Sequence, residues 1–148
     1  MSPGVGSLRA MEQRISLITL GVDDLQRART FYEQGLGWKP KAAPEGVVFY
    51  QLPGIAVALF GRNDLAEDAH HRIDGRFSGI TIAINQRTEA DVDAVLAEAE
   101  AAGATILKRA EKVFWGGYSG YFADPDGHVW EVALNPEWTI NPDGTLTI

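Results

Sequence analysis

The 148-residue chain contains no cysteine. Disulfides, thiol catalysis and thiolate-built zinc sites are therefore excluded. Basic residues are scarce: thirteen Lys and Arg stand against twenty Asp and Glu, for a formal net charge of −7. An acidic chain without a basic run does not suit a phosphate backbone or an anionic membrane surface, so neither nucleic acid nor membrane is an expected partner. No stretch approaches the roughly 18 consecutive apolar residues that cross a bilayer. The opening MSPGVGSLRAMEQR lacks a signal-type apolar core, so residues 1–13 read as a flexible leader and the cytoplasm as the expected compartment. Apolar residues make up 45% and charged residues 22%, values of an ordinary globular domain.

The apolar pattern alternates between strand and helix. Residues 15–22 read as a strand with Ile18, Leu20 and Val22 on one face and Leu17, Thr19 and Gly21 on the other. Asp23 and Gln26 have capping-box spacing, and Leu25, Ala28 and Tyr32 then recur at helical intervals until Gly35 and Gly37. Trp38 opens an extended stretch. Two strands over 47–52 and 55–60 flank Pro53-Gly54, a hairpin signal. Residues 61–77 form a polar linker with a short helical piece around Leu65–His70.

The order then repeats. A strand over 79–84 precedes Thr88 and Asp91, a second capping pair, and a helix carrying Val92, Val95, Leu96, Ala99 and Ala102 up to Gly103. Extended segments follow over 104–109 and 112–115. A last hairpin, 117–123 with 128–134, closes through Asp124-Pro125-Asp126-Gly127, which supplies the fixed φ of proline and the positive φ of glycine to a tight turn. One half cannot easily close its own sheet, so two βαβββ halves are expected to pair. The fold class is α+β: tandem modules over 14–60 and 78–137 forming an open, cup-shaped mixed sheet with helices on the outside, followed by a tail over 138–148.

Segments ITLGVDDLQRARTFYEQGLGW at 18–38 and GYSGYFADPDGHVWEVALNP at 117–136 resemble the vicinal oxygen chelate superfamily, which includes glyoxalase I, bleomycin-resistance proteins and extradiol dioxygenases. The resemblance spans residues 15–136 and is closest to a glyoxalase-like bacterial subgroup. It implies a cup in which metal-dependent members carry four ligands, usually His, Gln or Glu. The corresponding slots here are Leu17, Ala58, Thr81 and Glu131, each in phase with the cup-facing side of its strand. Leu and Ala offer no lone pair, and a neutral Thr hydroxyl is a poor ligand. No cofactor is therefore expected. A divalent metal stands as the alternative, through loop ligands or a shifted alignment.

Glu131 is the sharpest candidate. It would act as a general base or as an anchor for a cationic or hydroxyl-bearing ligand, against an inherited carboxylate held by a neighbour. Thr19, Phe49, Phe60, Trp115, Tyr118 and Tyr121 complete the expected ligand-binding wall, with core packing as the competing role for Trp115 and Tyr118. His128 reads as a rim residue or an acid/base group. His70 and His71 read as solvated loop residues. Gly117-Tyr118-Ser119-Gly120 fails as a nucleophile elbow, because Tyr121 stands where glycine is required. The function expected is metal-independent binding or sequestration of a small molecule, with a homodimer as the assembly. A metal-dependent lyase, isomerase or dioxygenase is the alternative.

Overall fold

The computed structural model describes residues 11, 13–75 and 77–148. The expected leader therefore lies outside the described residues except for Met11 and Gln13. Nine strands and three helices are described. The first module comprises β1 (Leu17–Val22), α1 (Leu25–Arg29) continuing into a π-helical turn (Thr30–Gly35), β2 (Val47–Leu52) and β3 (Ile55–Gly61). The second comprises β4 (Thr81–Asn85), α3 (Glu89–Ala101), β5 (Thr105–Lys112), β6 (Tyr118–Ala123) and β7 (Val129–Leu134). Between them lies α2 (Arg62–Ala69), and the chain ends in a short hairpin of β8 (Thr139–Ile140) and β9 (Leu146–Thr147). The linker thus holds a full two-turn helix, longer than the piece its sequence suggested. The tail is an ordered hairpin. Among the described residues no helix is long and apolar enough to cross a membrane.

The modules repeat one topology. Sheet order is β1-β3-β2 in the first and β4-β7-β6-β5 in the second, with β1 parallel to β3 and β4 parallel to β7. The strand that would match β5 is reduced in the first module to a single bridge, Ala42 to Phe49. Pro40 and Pro44 account for this, because proline cannot donate to a ladder. β1 and β4 are edge strands, and the two sheets remain separate and open.

Local chemistry sets the element ends. Asp24, one residue later than the expected cap, accepts from the Arg27 amide and starts α1. Asp23 instead turns its backbone N–H to Asp126 across the module boundary, 2.8 Å away. Thr88 caps α3 as expected, and Gly103 follows it at φ 114°. Gly127 adopts φ 86° in the DPDG turn, whose Asp124 Oδ1 accepts from the amides of Asp126 and His128.

One core joins both halves. Leu20, Val22, Tyr50, Val57 and Leu59 from the first sheet and Phe122, Trp130 and Val132 from the second belong to one buried cluster with Phe31, Tyr32, Val92 and Leu96. The helices approach so closely that a Cβ on Gly35 would meet that of Ala102. Tyr32 sits at the centre. Its hydroxyl donates to Asp124 at 2.8 Å and accepts from the Trp130 indole at 3.1 Å. Arg27 and the Asp23 amide both bond Asp126 Oδ1, and His128 Nε2 lies 2.7 Å from the Gly21 carbonyl. The DPDG turn therefore clasps the first module to the second.

Candidate functional site

Strand phase places Glu131 as its neighbours demand. Trp130 and Val132 are buried in the core, so Glu131 points to the opposite face of the second sheet, where it is half-buried. On that face it stands between Ala83 of β4 and Tyr121 of β6, its register partners. Burial, followed by the charge and hydrogen bonding of Glu131, pushes the Tyr121 hydroxyl up from its ordinary pKa.

A cavity of about 660 Å³ opens over this face. Its floor is Ala83, Glu131 and Ala133, and its polar rim is Asn85, Asn135 and Glu137. Trp115 and Trp138 form walls and stay 38% and 42% exposed. Trp115 comes from the tight β5–β6 turn, closed by Gly116 N–H to the Val113 carbonyl at 3.0 Å. Its ring rests on Gly117, where any Cβ would overlap the indole and the Leu134 carbonyl. Glycine at 117 is thus a requirement of the wall. The opposite side comes from the segment after β7. Asn135 Oδ1 accepts from the Glu137 amide and the Asn135 carbonyl from the Trp138 amide, a turn that carries Glu137 and Trp138 to the rim. Arg87 then ties the terminal hairpin down through the Asn141 carbonyl at 2.7 Å.

The sequence-predicted residues divide into groups. Glu131 and Trp115 share the cavity, and Tyr121 adjoins Glu131. Thr81 lies on the same strand face, and with Thr19 and His128 it lines a second, more apolar cleft of about 760 Å³. That cleft runs between β1 and β4 and meets the first at Ala83, which lines both. Leu17, Phe49, Ala58 and Phe60 lie on the first sheet and do not line the Glu131 cavity. Ala58 is buried, and Phe60 faces an acidic depression with Asp64 and Glu67 of α2. Tyr118 requires a correction. It pairs with Leu134, packs against the core on the helix side, and donates its hydroxyl to Asp93 of α3 at 2.7 Å. Counting residues in β6 puts it with Gly120 and Phe122, the face away from Glu131. His70 and His71 are exposed.

Asn85, Glu137 and Trp138 escaped the sequence reading. Asn85 closes the β4 alternation begun by Thr81 and Ala83, and that phase could have found it. Glu137 and Trp138 lie beyond the repeated pattern. A tryptophan in a supposed tail was their signal.

The donor set bears on the metal that the fold family implies. Of the four slots only Glu131 carries a charged oxygen. Among the described residues no three His, Cys, Asp or Glu side chains gather to hold an ion. Leu17 and Ala58 cannot ligate, so these residues do not fit a divalent metal.

The Glyoxalase/Bleomycin resistance protein/Dioxygenase superfamily model matches residues 14–132. A glyoxalase-related enzyme from Fulvimarina pelagi superposes with a TM-score of 0.87 at 38% identity, over 93% of this chain and 99% of that one. Metallothiol transferase FosB of Shouchella clausii (strain KSM-K16) is 30% identical over 123 residues, 82% of this chain and 80% of its own. A lactoylglutathione lyase from Agrobacterium tumefaciens gives a TM-score of 0.67 at 25% identity, over 86% and 98% of the two chains.

Proposed function

Because the chain belongs to the Glyoxalase/Bleomycin resistance protein/Dioxygenase superfamily, we propose that it binds a small molecule in the Glu131 cavity without a metal. The observation that carries this reading is the pairing of one half-buried carboxylate with two tryptophan walls in a cavity of about 660 Å³. Such a cavity is of drug-like size, with aromatic area for contact and few polar groups to set orientation. The three remaining family slots hold Leu17, Ala58 and Thr81, which favours an anchor over a Lewis acid. Glu131 then serves as a hydrogen-bond acceptor or base, with the Tyr121 hydroxyl beside it.

The metal-dependent reading has its support in the relatives, one of which is named as a metallothiol transferase and another as a lactoylglutathione lyase. The residues in the slots weigh against it here.

A homodimer belongs to the same proposal. Among the described residues β1 and β4 are edge strands, and Leu17, Ile80 and Ile84 beside them are 42%, 71% and 39% exposed. Exposed apolar edges invite pairing. A second copy pairing at these edges would cover Leu17, Ile80 and Ile84. The interface would be isologous.

The test is a titration of metal-free protein with a panel of aromatic acids, alcohols and amines, read at the indole N–H resonances of Trp115 and Trp138. Shifts confined to those two indoles and lost in Glu131→Gln support the reading. Shifts that need added Zn, Ni or Mn, or that persist in Glu131→Gln, refute it.

A further inference from the structure

Among the described residues, the Glu131 cavity is lined by charge of one sign only. Glu131 stands on its floor and Glu137 on its rim, and no described Lys or Arg lines it. Lys108, which acts on Tyr121, is itself paired with Glu111 at 3.3 Å. The remaining polar groups, Asn85 and Asn135, are neutral. Both large walls are indoles, the aromatic system with the strongest attraction for a cation over its face. Glycine at 117 leaves room for the Trp115 ring, and the Asn135 turn and the Arg87 anchor carry Trp138 and Glu137 to the opposite side.

We infer that the ligand of this cavity is an organic cation, an alkylammonium or amidinium group attached to a flat apolar body. The inference rests on the small-molecule reading above and narrows it to one chemical class. A cation gains from both carboxylates and from both indole faces. A neutral compound of the same shape gains only contact area. An anion meets two like charges.

Three near-isosteric probes separate the possibilities: 4-(trimethylammonio)benzyl alcohol, 4-tert-butylbenzyl alcohol and 4-tert-butylbenzoate. Each is titrated into the full chain at low salt, with the Trp115 and Trp138 indole resonances as readout. The expected order is cation, neutral, anion, with the cation about tenfold tighter than the neutral compound. In the Glu131→Gln/Glu137→Gln protein, checked for an unchanged melting temperature, that gap narrows to about threefold, the share left to the two indoles; if the double variant unfolds, Glu137→Gln alone, at an exposed position, must narrow it. Equal or tighter binding of the neutral compound or the anion overturns the ligand class while the cavity remains a binding site. A gap left unchanged by removal of the carboxylates overturns the class as well. Failure of all three probes to shift either indole, while members of the wider aromatic panel do, again overturns the class alone. Silence from both sets removes the binding site itself.

Discussion

Glu131 and Asp126 are both acidic, yet their surroundings give them opposite roles. Asp126 is fully buried and holds the Asp23 amide and the Arg27 guanidinium at 2.8 Å each. Its removal leaves the part-buried Asp23 amide and the half-exposed Arg27 guanidinium without their acceptor, which costs about 1–2 kcal/mol. Asp126→Ala is therefore expected to lower the unfolding free energy by that amount, read as a lower urea midpoint at unchanged m, and leave the cavity residues in place. Glu131 adjoins Tyr121 and faces the cavity. Glu131→Gln keeps an oxygen to accept from the Tyr121 hydroxyl, so stability is expected to change by less than about 0.5 kcal/mol, while ligand binding falls. Urea unfolding run beside the indole titration separates the two effects.

Asp124 predicts a pH dependence. Burial raises its pKa, against the opposing pull of His128, the Tyr32 hydroxyl and two amides. A carboxyl with a folded pKa above its unfolded value binds a proton more readily when folded. Its contribution to stability is therefore fully present below the unfolded pKa and is lost as pH rises through the folded pKa. Comparing wild type with Asp124→Asn at pH 7, 5.5 and 4.5, the difference in unfolding free energy should move in favour of wild type as pH falls. Movement in the other direction contradicts the assignment.

At the scale of elements, alternation and capping made the repeated strand-helix order readable. Thr88, Gly103 and Gly127 act where their local chemistry says they should. The phase of β7 also located Glu131, because Trp130 and Val132 have only one face to occupy. Tyr118 was misread for a related reason. Aromatic crowding over 115–121 suggested a wall, but alternation alone divides Tyr118 from Tyr121, and the Asp93 partner lies on a helix 25 residues away. Trp138 was hidden because its position depends on a turn at Asn135 and an anchor from Arg87, neither of which has periodicity. Two outcomes follow from the elements that build the cavity. Gly117→Ala should displace the Trp115 ring, destabilise by about 1–3 kcal/mol through overpacking, and weaken probe binding. Truncation after Trp138 removes the β8–β9 hairpin and the Arg87 anchor. It should leave near-native circular dichroism and broaden the Trp138 indole resonance.

At the scale of the molecule, one core holds the two modules together while their β1 and β4 edges stay open. The cleft between those edges has an apolar lining that includes Ile18, Ile80 and Ile82. Pairing with a second copy would cover it. Light scattering at tens of micromolar should give twice the chain mass of 16.1 kDa. Ile84→Lys, which places a charge beside the β4 edge, should shift the population toward monomer; a monomeric wild type contradicts the dimer.

A Glu131 anchor that holds a ligand between two tryptophans without a metal is tested most directly by the dissociation constant of 4-(trimethylammonio)benzyl alcohol for wild type and Glu131→Gln, each after chelation and again after reloading with Zn, Ni or Mn. One wild-type value is expected with and without metal, and a loss of about threefold in Glu131→Gln under both conditions. Binding that appears only after metal reloading, or that is equal in the two proteins, would contradict it.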